Sequence, residues 1–169
     1  MKINHNRDKH GNVPLWVLIN ALSFGKISKM YSLSLDSIKQ KICNEYGNIS
    51  ISEMSSMLSI LTKFRNVCAH NGRLYNYKTK DTLPVLDIQK SLKLPMNKNK
   101  TAFRKGHNDM FAILIILKSL LSHDDFEEFY NQLLKQINDF KFKSNIVNKN
   151  AVTSEMGFPN NWQDIFSIS

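Results

Sequence analysis

The chain has 169 residues, 42% of them hydrophobic, a size and composition that suit one folded domain with a sizeable core. Twenty-three Lys and Arg against 14 Asp and Glu leave a net charge of +9. That balance favours polyanionic partners, RNA, DNA or an anionic surface, unless it reflects only a lysine-rich, AT-biased bacterial proteome. Two cysteines, Cys43 and Cys68, are too few for a disulfide framework or a metal cluster and read as buried free thiols in a reducing cytosol. The polar start through Arg7 has no apolar signal core, and the run Met110 to Leu121, interrupted by Lys118, is too short for a membrane helix. The expectation is a bacterial cytoplasmic protein.

Residues 1–13, with His5, His10 and Gly11, read as a flexible polar tail, and 14–169 as one helical domain. Pro14 suits a first helical turn. Leu15, Trp16, Leu18, Ile19 and Leu22 form an apolar stripe at helical spacing that Gly25 interrupts with a kink or close packing, and the pattern resumes through Ile27, Met30 and Tyr31. A second helix over about 35–46 turns Leu35, Ile38, Ile42 and Tyr46 inward, and Gly47 ends it. The third helix, about 51–70, is the strongest element. Ser50 and Glu53 have capping-box spacing at its start. Ile51, Met54, Leu58 and Leu61 mark one stripe, and Met57, Ile60, Phe64 and Val67 a second beside it. So wide an apolar arc predicts a central or interfacial helix, and Asn71-Gly72 is its stop signal.

Residues 73–106 read as a long basic loop carrying Lys98, Lys100, Arg104 and Lys105, with a short helix around 85–92. A backbone-binding strip for RNA and a merely solvated face are equally open here. A fourth helix, about 108–122, is apolar nearly all round and belongs in the core. A fifth, about 124–141, opens on His123-Asp124-Asp125 and carries Phe126, Phe129, Tyr130, Leu133, Leu134, Ile137 and Phe140. The turn Met156 to Trp162 packs back on that core. The fold class is all-α, about five main helices.

The stretch Phe64 to Asn76 concentrates polar chemistry at a helix end. Arg65 falls seven residues after Leu58 and so continues an apolar stripe, a costly place for a guanidinium unless it lines a polar site. Asn66 and His70 share one face at i,i+4. Arg65 and His70 lie about 140° apart, so one helix does not aim both at one atom. Two copies about a twofold axis remove that difficulty. One His70 then acts as base and the other as acid, while Arg65 holds a phosphate and Asn66 orients His70 or touches the phosphate. Such a site cleaves RNA by 2′-hydroxyl attack without a metal or cofactor. The plainer alternative is that Arg65 caps helix-end carbonyls and His70 is an ordinary terminal histidine. His5, His10, His107 and His123 have no metal-ligand spacing, and Tyr75 and Tyr77 suit either base stacking or packing over the helix end.

The run Arg65-Asn66-Val67-Cys68-Ala69-His70-Asn71-Gly72-Arg73-Leu74-Tyr75-Asn76 resembles the signature of the Abi-like abortive-infection proteins, AbiD/AbiF type, of the HEPN superfamily. Pro14-Leu15-Trp16 to Gly25 with Tyr31, and Met156-Gly157-Phe158-Pro159 to Trp162, resemble the same family. The resemblance implies a HEPN-like helical bundle, usually a homodimer, acting as a metal-independent endoribonuclease in phage defence. Arg65, Asn66 and His70 match its hallmark positions. Arg73 and Asn76 match its extension, with phosphate contact or loop bracing as their roles. The family generally has a substantial region before the Pro-x-Trp segment, where this sequence has thirteen residues. The reading is therefore an RNA-cutting homodimer paired through the third helix, with an antitoxin protein or small RNA as candidate restraint. The alternatives are a non-catalytic RNA-binding or regulatory module of the same fold, and a protein-interaction domain of a defence system.

Overall fold

Where the sequence carries a helical stripe bounded by caps and stops, the structure carries a helix. This computed structural model describes residues 4, 7–9, 11–47, 49–143 and 149–168, without the side chains of 140–143 and 149. His5 and His10 of the expected tail, and the Phe140 side chain, lie outside the described residues. The helices are α1 (Leu15–Ala21), α2 (Phe24–Leu33), α3 (Asp36–Glu45), α4 (Ile51–Ala69), α5 (Asp87–Ser91), α6 (Met110–Leu120), α7 (His123–Lys143) and α8 (Lys149–Glu155), followed by a 3-10 turn over Trp162–Ser167. Among the described residues there is no strand, only an isolated antiparallel bridge from Met96 to Phe103. The protein is all-α.

Helix α6 is the centre of the core. Phe111 to Ile116 are all buried, and Phe111, Leu114, Ile115 and Ile116 are almost fully enclosed. Each such side chain contributes roughly 1.5–3 kcal/mol by leaving water. Met57, Ile60 and Phe64 of α4 pack on this cluster, with Phe126 and Tyr130 of α7 and Phe158, Trp162 and Ile165 beyond α8. A smaller cluster joins Tyr31, Cys43 and Met54, where the Tyr31 hydroxyl lies 3.2 Å from Cys43 Sγ. Burial, with Cys43 beside it, pushes that hydroxyl's pKa up.

Two expectations for the N-terminal helices need correction. The single kinked helix is in fact two, and the break is at Leu22-Ser23, both in extended conformation, rather than at Gly25. Gly25 instead faces α4, where an added Cβ would touch Thr62 Cγ2 at 3.5 Å. The stripe of α3, expected to turn inward, turns outward. On α3, Leu35, Ile38, Ile42 and Tyr46 are all exposed, and only Cys43 is buried. The small Cys43 seats α3 against Tyr31 and Met54, and the stripe falls on another arc of the helix. On α1 only Val17 is buried, while Leu15, Trp16 and Ile19 are exposed; Met30 on α2 is exposed as well.

The segment between α4 and α6 is more ordered than a loop. The buried Gln89 side chain accepts from Leu86 N at 2.8 Å and donates to the Gly106 carbonyl at 2.6 Å. Leu83 N donates to His107 O at 2.7 Å and Thr79 N to Asn108 O at 3.0 Å. These bonds satisfy the backbone groups that a core-covering segment must not leave unpaired. No helix among the described residues is long and apolar enough to cross a membrane.

Candidate active site

Helix α4 delivers the site. Its start is the capping box the sequence announces: Glu53 N donates to Ser50 Oγ at 3.2 Å, and Ser50 N to Glu53 Oε2 at 2.7 Å. Met54, Met57, Ile60 and Phe64 then bury one face. Past Phe64 the helix leaves the core. Arg65, Asn66, Cys68, Ala69 and His70 are all exposed. Arg65 therefore does not sit on a buried stripe, and Cys68 is not a buried thiol. The elements that cover α4, namely α2, α3 and α6, do not enclose its last turns.

The helix stops through two crossed backbone bonds. Gly72 N donates to Val67 O at 2.8 Å and Asn71 N to Cys68 O at 3.2 Å. This is a Schellman closure with Asn71 in the left-handed region, φ +52°. Asparagine tolerates that conformation better than most residues. Gly72 is required for a different reason: an added Cβ would lie 2.8 Å from Val67 Cγ1. The Asn-Gly pair thus fixes His70 as the last residue before the turn and sends Arg73 outward.

Within this end, Arg65 Nη1 donates to Asn66 Oδ1 at 3.3 Å. The side-chain carbonyl of Asn66 is therefore turned to Arg65 rather than to His70. Asn66 and His70 are linked instead through the backbone, His70 N to Asn66 O at 3.0 Å. Arg73, Tyr75 and Asn76 are exposed beyond the stop. Tyr77 packs edge-on against Phe64, ring centroids 5.0 Å apart. Of the two tyrosines, Tyr77 covers the helix end and Tyr75 remains presented to solvent.

A brace holds the segment that follows. Asp81 accepts from Ser59 Oγ at 2.5 Å, and Lys63 Nζ lies 2.5 Å from the same carboxylate oxygen. Hydrogen bonding from Lys63, then from Ser59, holds the Asp81 carboxyl below its ordinary range. Nothing in the sequence separates Asp81 from other surface acids, because its partners lie about 20 positions away on α4. A cavity of about 220 Å3 lies between α2 and α4, lined by Gly25, Tyr31, Ser55 and Ser59 among others; none of Arg65, Asn66 and His70 lines it.

The basic residues divide. Lys98 and Lys100 occupy an exposed turn in which Asn97 accepts from Thr101 N at 2.9 Å, and Arg104 is exposed just after it. Lys105 points the other way, donating to the Phe158 carbonyl at 2.9 Å and to Ser154 Oγ at 3.2 Å. Its ammonium is engaged in holding the segment after α8, so it stands apart from the other three.

Fold and site together define an all-α protein whose long central helix carries Arg-Asn-x-x-x-His onto an exposed, stiffly terminated end. The model of the family described as Abi-like protein matches residues 1–76, a span that takes in both the Pro-x-Trp segment and the whole run to Asn76. Across those residues the chain is similar to the Abi-like family, a likeness that points to abortive infection, a form of phage defence. The Met156 to Trp162 stretch lies outside the matched span. No curated protein and no solved structure matches the chain.

Proposed function

We propose that the protein is a metal-independent endoribonuclease of a bacterial phage-defence or toxin–antitoxin system, acting in the cytosol at an Arg65/His70 site shared by two copies. The observation that carries this reading is the exposure of Arg65, Asn66 and His70 together at the end of α4, with no carboxylate among the described residues paired to Arg65. A guanidinium and an imidazole held on a rigid helix end, and not employed in packing, are available to a phosphate. The HEPN-like character of the bundle belongs to the same proposal.

Chemistry follows from the placement. A neutral His70 takes the proton of the ribose 2′-hydroxyl, whose oxygen attacks the adjacent phosphorus. The partner's protonated His70 gives its proton to the departing 5′-oxygen. The phosphate closes to a 2′,3′-cyclic diester. Arg65 donates to the non-bridging oxygens and matches their growing charge. Asn66 orients the Arg65 guanidinium through the 3.3 Å bond. The ideal angle of about 140° between Arg65 and His70 on one helix is the reason two copies are needed.

The test is cleavage of end-labelled single-stranded RNA in excess EDTA by the wild type, His70→Ala and Arg65→Ala. We expect wild-type products with cyclic phosphate ends and a loss of ~10²–10⁴-fold in each variant, with helical content unchanged. Wild-type rates in both purified variants would remove the mechanism. The exposed turn bearing Lys98 and Lys100 favours a second reading, a non-catalytic RNA-binding module, which tight binding without cleavage would select.

A further inference from the structure

The stretch from Met156 to Trp162 has no part in the cleavage chemistry, yet it forms one side of a pocket. On α8, Asn150, Thr153 and Ser154 stand at i, i+3 and i+4 and share one helix face. With Phe158, Asn160, Trp162 and Gln163 they line a pocket of about 280 Å3. Its floor is apolar and its mouth polar. Phe158 and Trp162 are buried and meet edge to face, ring centroids 5.0 Å apart, whereas Ser154, Asn160 and Gln163 are exposed. The walls are held from behind. Phe158 N donates to Thr153 O at 2.9 Å, and Lys105 ties Ser154 Oγ to the Phe158 carbonyl at 3.2 and 2.9 Å. A pocket so braced is in place before a ligand arrives, which spares the cost of ordering it.

The turn's own hydrogen bonds leave two amides over. Asn161 Nδ2 donates to Leu92 O at 3.0 Å, and the Gln163 backbone carbonyl accepts from Tyr130 at 3.2 Å. The side-chain amides of Asn160 and Gln163 engage none of the described residues. A carboxamide presents an acceptor beside two donors. Adenine presents the complement, its N7 acceptor beside its N6 amino donor, and Asn or Gln reads that edge with two bonds. Guanine's two acceptors call for a cation, and the amino group of cytosine for a carboxylate. None of the residues lining the pocket is charged. Pockets for whole small molecules begin at about 300 Å3, so this one suits a single ring system. Positive charge lies just outside. Lys105 is at the wall, and exposed Arg104 precedes it in the chain by one Cα step of about 3.8 Å.

We propose that this pocket receives an unpaired adenine base of a bound RNA strand, with the amides of Asn160 and Gln163 on its hydrogen-bonding edge and Arg104 toward its phosphate. The inference rests on RNA as the ligand and adds a base-reading subsite to it. Bases are read in this way where the strand is single and its edges are free. The subsite also separates two roles within the basic segment: Lys105 shapes the pocket, while Arg104 meets the strand.

Fluorescence anisotropy tests this with labelled 2′-O-methyl strands of equal length: all adenine, all uracil, and abasic. None has a 2′-hydroxyl to attack, so the full chain binds them without cleavage, and all carry the same phosphates. We expect the wild type to bind the adenine strand about tenfold or more tightly than the other two, the scale of one bidentate base contact. Asn160→Ala and Gln163→Ala should each shrink that ratio while leaving abasic binding and Tm unchanged, since both side chains are exposed. In a Trp16→Phe background, the adenine strand alone should quench the remaining tryptophan, Trp162. Equal affinity for the three strands overturns the proposal, as does a preference that both variants leave intact or a Trp162 emission that the adenine strand does not change. Quenching by adenosine monophosphate without strand binding would give the pocket to a free nucleotide and overturn its place on RNA. His70→Ala keeps the two readings apart. An adenine preference beside absent cleavage in the wild type supports the pocket and removes the ribonuclease; cleavage lost only in His70→Ala, with no base preference, does the reverse.

Discussion

Gly157→Ala is the substitution whose cost the structure defines most fully. Gly157 has φ +86°, where an L side chain costs about 1–2 kcal/mol. An added Cβ would also fall inside the contact radius of the Asp109 carboxyl and 2.7 Å from Asp109 Cβ. Asp109 cannot easily step aside. It is 3% exposed, accepts from Gly106 N with both oxygens at 3.0 and 3.1 Å, and caps α6 through Ala112 N at 3.1 Å. Burial raises its pKa, and those backbone bonds pull it back down. Displacing it forfeits a helix cap worth about 1 kcal/mol, and overpacking adds about 1–3 kcal/mol. A total of about 3–6 kcal/mol corresponds to a fall in Tm on the order of 10 °C for a chain of this length. Thermal unfolding followed by circular dichroism measures it, with Asp109→Ala and the double variant completing a cycle. The double variant should lose less than the sum, because removing the carboxyl makes room for the methyl. A Tm unchanged within about 2 °C, or strict additivity, would refute the reasoning.

The other predictions concern the loop and its charges. Asp81→Asn should lower Tm at pH 7. Asp81 has a depressed folded-state pKa, so its contribution is present above its unfolded pKa and is lost as pH falls through the folded value. The gap between wild type and Asp81→Asn should therefore close below about pH 4, and a constant gap across an acid titration of Tm would contradict the brace. Lys98→Ala, Lys100→Ala and Arg104→Ala should each weaken RNA binding, flattening the slope of log K against log salt by about one, without moving Tm. Lys105→Ala should do the reverse, losing about 1–3 kcal/mol of stability through its bonds to Ser154 and Phe158 while the salt slope stays put. Fluorescence anisotropy over a salt series, beside thermal melts, separates the two groups.

Local chemistry made much of this legible. Ser50 with Glu53, Asn71 with Gly72, and the apolar run after Asp109 each act within a few residues, and each did in the structure what its pattern dictates. Failures arose where periodicity was taken to give direction. A stripe such as Leu35, Ile38, Ile42 and Tyr46 shows that a helix has an apolar face, but not that the core lies on that face. One small residue, Cys43, decided the seating instead. For the same reason Arg65 looked buried by extension from Leu58, although the helix had already run past its neighbours. Pairings between distant residues, Gln89 with Gly106, Asp81 with Ser59 and Lys63, Lys105 with Phe158, carry no local signature at all. Gly157 stood out in the sequence only by resemblance, and its physical reason is a carboxylate 48 residues earlier.

The segment over 153–166 also bears on when this chain can finish folding. Lys105 reaches forward to Ser154 and Phe158, Leu92 O accepts from Asn161 Nδ2 at 3.0 Å, and Tyr130 donates to the Gln163 carbonyl at 3.2 Å. These partners are separated by 33 to 69 residues. Until Phe158, Trp162 and Ile165 arrive, one side of α6 and α7 is bare apolar surface. On a ribosome adding roughly 5–20 residues per second, that surface waits several seconds after α6 emerges. The nascent chain is therefore a client for chaperones over that interval, and a ribosome stalled before codon 158 would hold a helical but unsealed intermediate.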